Sequence, residues 1–207
     1  MYRYYRKAEV CYAYLTDMQN DHLGRSFDLN FRMCRWFTRG WMLQELIAPP
    51  TVFFFTNEWM KIGTKASLQE TITDITGIPS EVLLSQDGPS ECSIAARMSW
   101  AAGRETTCVE DRAYSLMGIF GIYMPPIYGE GEHAFIRLQE EILKVSNDHT
   151  IFAWKTKLPS IGGILATSPD VFEESGGYMH LSLWSNPKQR PFSMTNMGLL
   201  VHLPLLP

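Results

Sequence analysis

RMSWAAGRETTCVEDRAYSLMGIFGIYMPPIYGEGEHAFIRLQEE, residues 97–141, sets two amphipathic helical patterns around a block of charge. Trp100, Arg104, Glu110, Asp111, Arg112 and Tyr114 crowd into its first half. Charges this dense beside apolar helix faces are expected to be partly buried and paired, because an unpaired buried charge is strongly destabilising. Upstream, Arg39-Gly40-Trp41-Met42-Leu43-Gln44-Glu45-Leu46-Ile47 repeats the same mixture. Both blocks read as helix, so the fold is one in which helices carry charge into a core.

Working outward, residues 129–146 hold the clearest helix. Phe135, Leu138, Ile142 and Val145 make one apolar stripe, and Glu140 and Lys144 form an i,i+4 pair. Residues 93–102 and 110–119 read as further helices, and residues 40–47 as one stopped by Pro49-Pro50. Ser67, with Glu70 three residues on, fits a capping box for a helix reaching Thr76. Residues 1–8 read as the end of a helix, 16–30 as a loop and 31–36 as a helical turn. Strand patterns occupy residues 9–15, 51–56, 150–154 and 198–205, with Thr51–Thr56 apolar enough to be buried on both faces. The fold class is therefore α/β, a sheet with surrounding helices. Pro, Gly and Ser recur through residues 159–191. A boundary near 157 would divide an α/β unit, residues 1–157, from the start of a β-leaning segment, residues 158–207.

Composition excludes several classes. Hydrophobic residues make up 45% and charged residues 19%, as in a folded chain rather than a disordered one. The net charge of -4 gives no basic footprint for nucleic acid. No apolar run is long enough to span a bilayer. Cys11, Cys34, Cys92 and Cys108 stand far apart without a C-x-x-C pair, so they read as free thiols of a cytoplasmic protein and not as a metal site. His133 and His149 lack dyad neighbours, and Tyr128-Gly129-Glu130-Gly131-Glu132 carries too much acid for a phosphate loop.

The blocks RGWMLQELIAP (39–49), RMSWAAGRETT (97–107), EDRAYSLMGIF (110–120) and YGEGEHAFIRLQEEI (128–142) resemble, in order and spacing, the fungal heterokaryon incompatibility domain. EVCYAYLTD (9–17) and SNDHTIFAW (146–154) fit the same pattern, while residues 168–176 and 193–206 look like the segment that follows that domain. The resemblance implies fungal non-self recognition leading to programmed cell death, with self-association or protein signalling partners. Two departures stand out. The family's N-terminal strand and helix, with a W-I-D-x-C-C-I-like motif, would precede Met1, and Cys108 stands where Arg is usual. An exposed sheet edge is then expected.

The resemblance also implies a TIR-like (flavodoxin-like) sheet, and with it a chemistry. Trp41, Glu45 and Leu46 give W-x-x-x-E-L, similar to the helix that carries the catalytic glutamate of NAD-cleaving TIR domains. Glu45 would be the catalytic carboxylate, stabilising an oxocarbenium-like state, with NAD as substrate and no resident cofactor or metal. Arg39, Trp41, Arg104, Asp111, Arg112 and Tyr114 would bind substrate or support the site. The residues themselves leave a second reading open. Glu45 would then be a structural partner of Arg39, Arg104 or Arg112, Asp111 and Arg112 a helix start with a buried pair, and the chain a non-catalytic signalling module or an inactive remnant.

Overall fold

The computed structural model describes residues 1–18, 26–84, 88–156, 163–179 and 192–201. In chain order it runs α1 (Tyr2–Lys7), β1 (Cys11–Tyr14), α2 (Ser26–Arg32), α3 (Met42–Ile47), β2 (Val52–Phe55), β3 (Lys61–Thr64), α4 (Gln69–Thr76) and α5 (Ser80–Leu84). There follow α6 (Ile94–Ser99), α7 (Asp111–Tyr114), α8 (Met117–Phe120), α9 (His133–Val145), β4 (Ser193–Thr195) and β5 (Gly198–Leu200). The expected α/β character is present.

The main sheet has the order β1-β2-β3. Strands β1 and β2 run parallel, Cys11 beside Val52 and Tyr14 beside Phe55, so the intervening chain with α2 and α3 must cross over between them. Strand β3 returns antiparallel to β2. Alternation sends Ala13, Val52 and Phe54 into the core, where Phe54 meets Phe31 at 5.4 Å and Trp36 at 5.6 Å between ring centroids. Its neighbours Phe53 and Phe55 are only half-buried and pack against Tyr12, Phe53 tilted to it and Phe55 edge-on. The expectation that this strand is covered on both faces is corrected. The sheet has one buried face, and its other face carries aromatic rings.

Local chemistry explains further departures. Part of the expected loop 16–30 is helix α2, held by an Asp28–Arg32 pair at 2.8 Å. Ser67 does not cap α4; its hydroxyl accepts the Thr64 N–H at 2.8 Å, tightening the turn before the helix. The helix expected over 110–119 breaks into α7 and α8 at Ser115-Leu116. Val145 at the end of the α9 stripe is exposed, so only Phe135, Leu138 and Ile142 build core. Residues 150–154 form no strand. Asp148 accepts the Thr150 N–H at 2.9 Å and winds His149–Phe152 into a 3-10 turn.

The expected boundary at 157 falls outside the described residues. Beyond it, residues 163–179 pack on α6 and α9. Phe172 is fully buried in a 3-10 turn, Pro169–Ser175, opened by Ser168. Gln139 on α9 donates to Ala166 O at 2.7 Å and accepts its N–H at 3.0 Å. Ser175 donates to Ala153 O, and Lys155 N–H to Val171 O. Strands β4 and β5 form a separate two-stranded hairpin, in which β5 lies within the strand expected over 198–205 and β4 precedes it.

Candidate functional site

The two charged blocks are zipped together by backbone. Glu105 N–H donates to Thr38 O at 2.7 Å and Gly40 N–H to Glu105 O at 2.9 Å, making a short parallel bridge between Arg39 and Glu105. Gly40 fits this seam because it lacks a side chain; a Cβ there would lie 2.6 Å from the Thr106 methyl. Beneath the seam Arg104 is buried, donating to Trp100 O at 2.7 Å and Arg39 O at 3.2 Å. Burial lowers its pKa to about 10. Arg104 thus ties the blocks through carbonyls, not through an acid.

The other charges find separate partners. Arg112 pairs with Asp170, which also accepts the Gly103 N–H at 2.9 Å. Burial pushes the Asp170 carboxyl up, but Arg112, Gly103 and Ser168 outweigh it and hold the group below the usual range. Asp111 accepts the Tyr128 hydroxyl at 3.0 Å. Tyr114 is buried at a hub, donating to Glu130 at 2.7 Å and accepting the Ile127 N–H at 2.7 Å, while Glu130 is ion-paired with Arg137. Glu110 accepts the N–H groups of Gly129 and Gly131 at 2.7 and 3.0 Å, and its own backbone N–H, with those of Gly131 and Gly129, holds its carboxyl below the usual range. The expected mutual pairing of Arg104, Asp111, Arg112 and Glu45 is not what the structure shows.

On α3, Glu45 is half-buried and accepts the Tyr5 hydroxyl at 2.7 Å, pinning α1 against α3. Burial, with the Glu45 carboxylate next in effect, raises the Tyr5 pKa. The C-terminal end of α3 is closed by Lys65, almost fully buried, whose ammonium donates to Leu46 O at 3.1 Å and Pro49 O at 2.6 Å. Cations suit the negative end of a helix dipole, but desolvation still lowers the Lys65 pKa to about 8. Burial likewise raises that of the Cys11 thiol nearby.

Three clefts open around these elements. One of about 490 Å³ lies between α1, α3 and α8 and is lined by Trp41, Gln44 and Tyr114 among others. A second, of about 400 Å³, is lined by Arg35, Arg39, Trp41, Glu105 and Asp111 among others. A third, of about 180 Å³, adjoins it at Arg35 and Arg39. Arg39, Trp41 and Asp111 therefore share one cleft, and Trp41 and Tyr114 another. Glu45, Arg104 and Arg112 line none of these three. Among the described residues no group of His, Cys, Asp and Glu is arranged to hold a metal ion. No helix of the described residues is long and apolar enough to cross a membrane.

Sequence reasoning missed Tyr5, Lys65, Glu130, Arg137 and Asp170. Glu130 and Arg137 could have been found, since they stand only seven residues apart, Glu130 in the turn that feeds α9 and Arg137 on the helix itself. Lys65 and Asp170 carry no local signal, because their partners lie at a distance in the chain.

Fold and site define a mixed α/β domain whose charged blocks are built into its architecture. Over 150 residues, 70% of the chain, it is 50% identical to the vegetative incompatibility protein HET-E-1 of Podospora anserina. The chain is thus related to fungal vegetative incompatibility proteins. The match spans 11% of that relative's length. Residues 133–193 match the family described as a domain of unknown function, DUF8212. No solved structure matches the chain.

Proposed function

We propose that the chain acts in fungal vegetative incompatibility, as a signalling domain that promotes programmed cell death after non-self recognition. The observation that carries this is the identity of half its residues with HET-E-1 over 150 positions. The fate of the charged blocks supports a module working through contacts with itself or a regulator. Arg104, Arg112, Glu110 and Glu45 are all engaged in holding helices and turns in place. The test is a chimera in Podospora anserina, with this chain replacing the matching segment of HET-E-1. Incompatible strains carrying a stable chimera should still die on fusion; survival at normal protein levels would reject the assignment.

A second reading, NAD cleavage on a TIR-like fold, is favoured by one observation. Trp41, which precedes α3 at its N-cap, lines two clefts, and Glu45 follows four residues later in the first turn of that helix. In that reading the Glu45 carboxylate would stabilise the oxocarbenium-like state at the ribose. Purified protein incubated with NAD would release nicotinamide, and Glu45→Gln would abolish the release while leaving the melting temperature close to wild type. Absence of nicotinamide, or equal release by the variant, rejects it.

A further inference from the structure

Between α8 and the turn that feeds α9 runs Met124-Pro125-Pro126-Ile127-Tyr128, which lines none of the three clefts. A proline fixes its own φ and keeps the residue before it extended, so Met124 and Pro125, each followed by proline, are both held extended. Residues 122–127 accordingly carry neither helix nor strand. Pro125, Pro126, Ile127 and Tyr128 are all exposed, Ile127 at 52% and Tyr128 at 61%. A contiguous run of apolar groups left in water is a mark of an interaction site. The run is nevertheless fixed from beneath. Met124 is buried at its start, Arg137 donates to Pro125 O at 2.9 Å, and Tyr114 accepts the Ile127 N–H at 2.7 Å. The Tyr128 ring stands edge-on to Tyr114 at 5.7 Å between centroids, and its hydroxyl donates to Asp111 at 3.0 Å. The exposed side chains are thus displayed on a backbone already ordered, which removes an entropic cost from binding.

We propose that residues 125–128 are a docking site for a small domain of the WW class, whose aromatic-lined groove reads proline-proline-x-tyrosine. Rings in such a groove pack on the flanks of the two prolines, which lose little entropy because they are already extended, and the tyrosine fills the neighbouring pocket. A polyproline helix has about three residues per turn, so continuing it from Pro125 brings Tyr128 to the same edge. The spacing disfavours an SH3 groove, which reads a second proline three residues after the first, where this chain has Tyr128. The proposal gives a chemistry to the regulator contacted by the signalling domain and rests on that reading. Docking is measured on purified protein alone, so docking and killing can fail separately.

The test is calorimetric titration of the full chain with a purified WW domain of proline-proline-x-tyrosine specificity, beside a purified SH3 domain and a synthetic peptide of residues 122–130. Saturable one-to-one binding to the WW domain is expected, with none to the SH3 domain. Pro126→Ala and Tyr128→Ala should each weaken it about tenfold or more, as loss of a main anchor does. Ile127→Ala, at the position the groove does not read, should leave the affinity near wild type. Pro126→Ala keeps the hydrogen bonds made by Tyr114, Arg137 and Asp111, so its melting temperature should also stay near wild type and its loss is one of docking. Binding by the peptide but not by the folded chain would overturn the proposal, because the run would then not be presented. So would absence of saturable WW binding, equal binding to the SH3 domain, or unchanged affinity in Pro126→Ala. A chain that binds the WW domain but does not kill keeps the docking site and rejects only the signalling role.

Discussion

At the scale of single residues, the charges of this chain work mostly through backbone and distant partners. Asp111, expected from its setting to neutralise a buried arginine, accepts among the described residues only the exposed Tyr128 hydroxyl. Asp111→Ala is therefore expected to cost under about 0.5 kcal/mol, the range of surface sites. Asp170→Ala should cost more, roughly 1 kcal/mol, because it removes the partner of Arg112 and the acceptor for Gly103, a loss softened by the half-exposure of the carboxylate. Denaturant midpoints of the two variants check the order, and a larger effect at Asp111 would contradict it. Lys65 offers a pH signature. Its pKa falls from the ordinary 10.5 to about 8 in the fold, so below pH 8 both states hold the proton and the fold bears the full desolvation cost. Between about 8 and 10.5 the unfolded chain binds more protons, and stability from this group rises with pH. Thiols with raised pKa values, such as Cys34 at about 12, act in the opposite sense above pH 9, so the comparison with Lys65→Met isolates the lysine. Wild type should gain roughly 1 to 3 kcal/mol relative to Lys65→Met across that window. A constant difference would show that the ammonium is not desolvated.

At the scale of elements, strained or doubly used positions govern how the pieces join. Trp59 between β2 and β3 has a φ of 61°, a left-handed conformation unusual for a bulky residue, and it stacks on Tyr14 at 4.7 Å. Trp59→Gly should be more stable than Trp59→Ala by about 1 kcal/mol, since both lose the stacking and only glycine accepts that φ freely. Equal melting temperatures would mean the turn relaxes. Ser93 accepts the Ala96 N–H at the start of α6 and donates to Tyr178 O at 2.6 Å, so it caps a helix and fastens residues 163–179 at once. Ser93→Ala is expected to cost about 1 to 2 kcal/mol, at or above a typical cap, and to speed amide exchange around Phe172. Elements governed by local pattern were the legible ones. The alternation of Cys11–Tyr14, the apolar run Val52–Phe55 and the Phe135–Leu138–Ile142 stripe all appear where the sequence places them. The errors arise where a side chain competes with the backbone pattern. Asp148 turns a strand-like TIF into a 3-10 turn, and Ser67 closes a turn instead of capping a helix. The site was legible as residue types but not as pairings, since Arg112 meets an acid far downstream and Glu45 a tyrosine far upstream.

At the scale of the whole molecule, the two charged blocks form one structural unit, joined at Arg39 and Glu105 and braced from below by Arg104. The core beneath it extends to Phe172. If the domain signals death by presenting this architecture, killing depends on the fold being intact. The most direct measurement is the viability of a fungal culture after induced expression of the chain, beside Leu43→Asp, which buries a charge on α3 at a fully buried position. The intact chain should sharply reduce the number of colony-forming cells, and the variant should leave the culture growing. Undiminished viability with the intact chain folded and abundant would contradict the account.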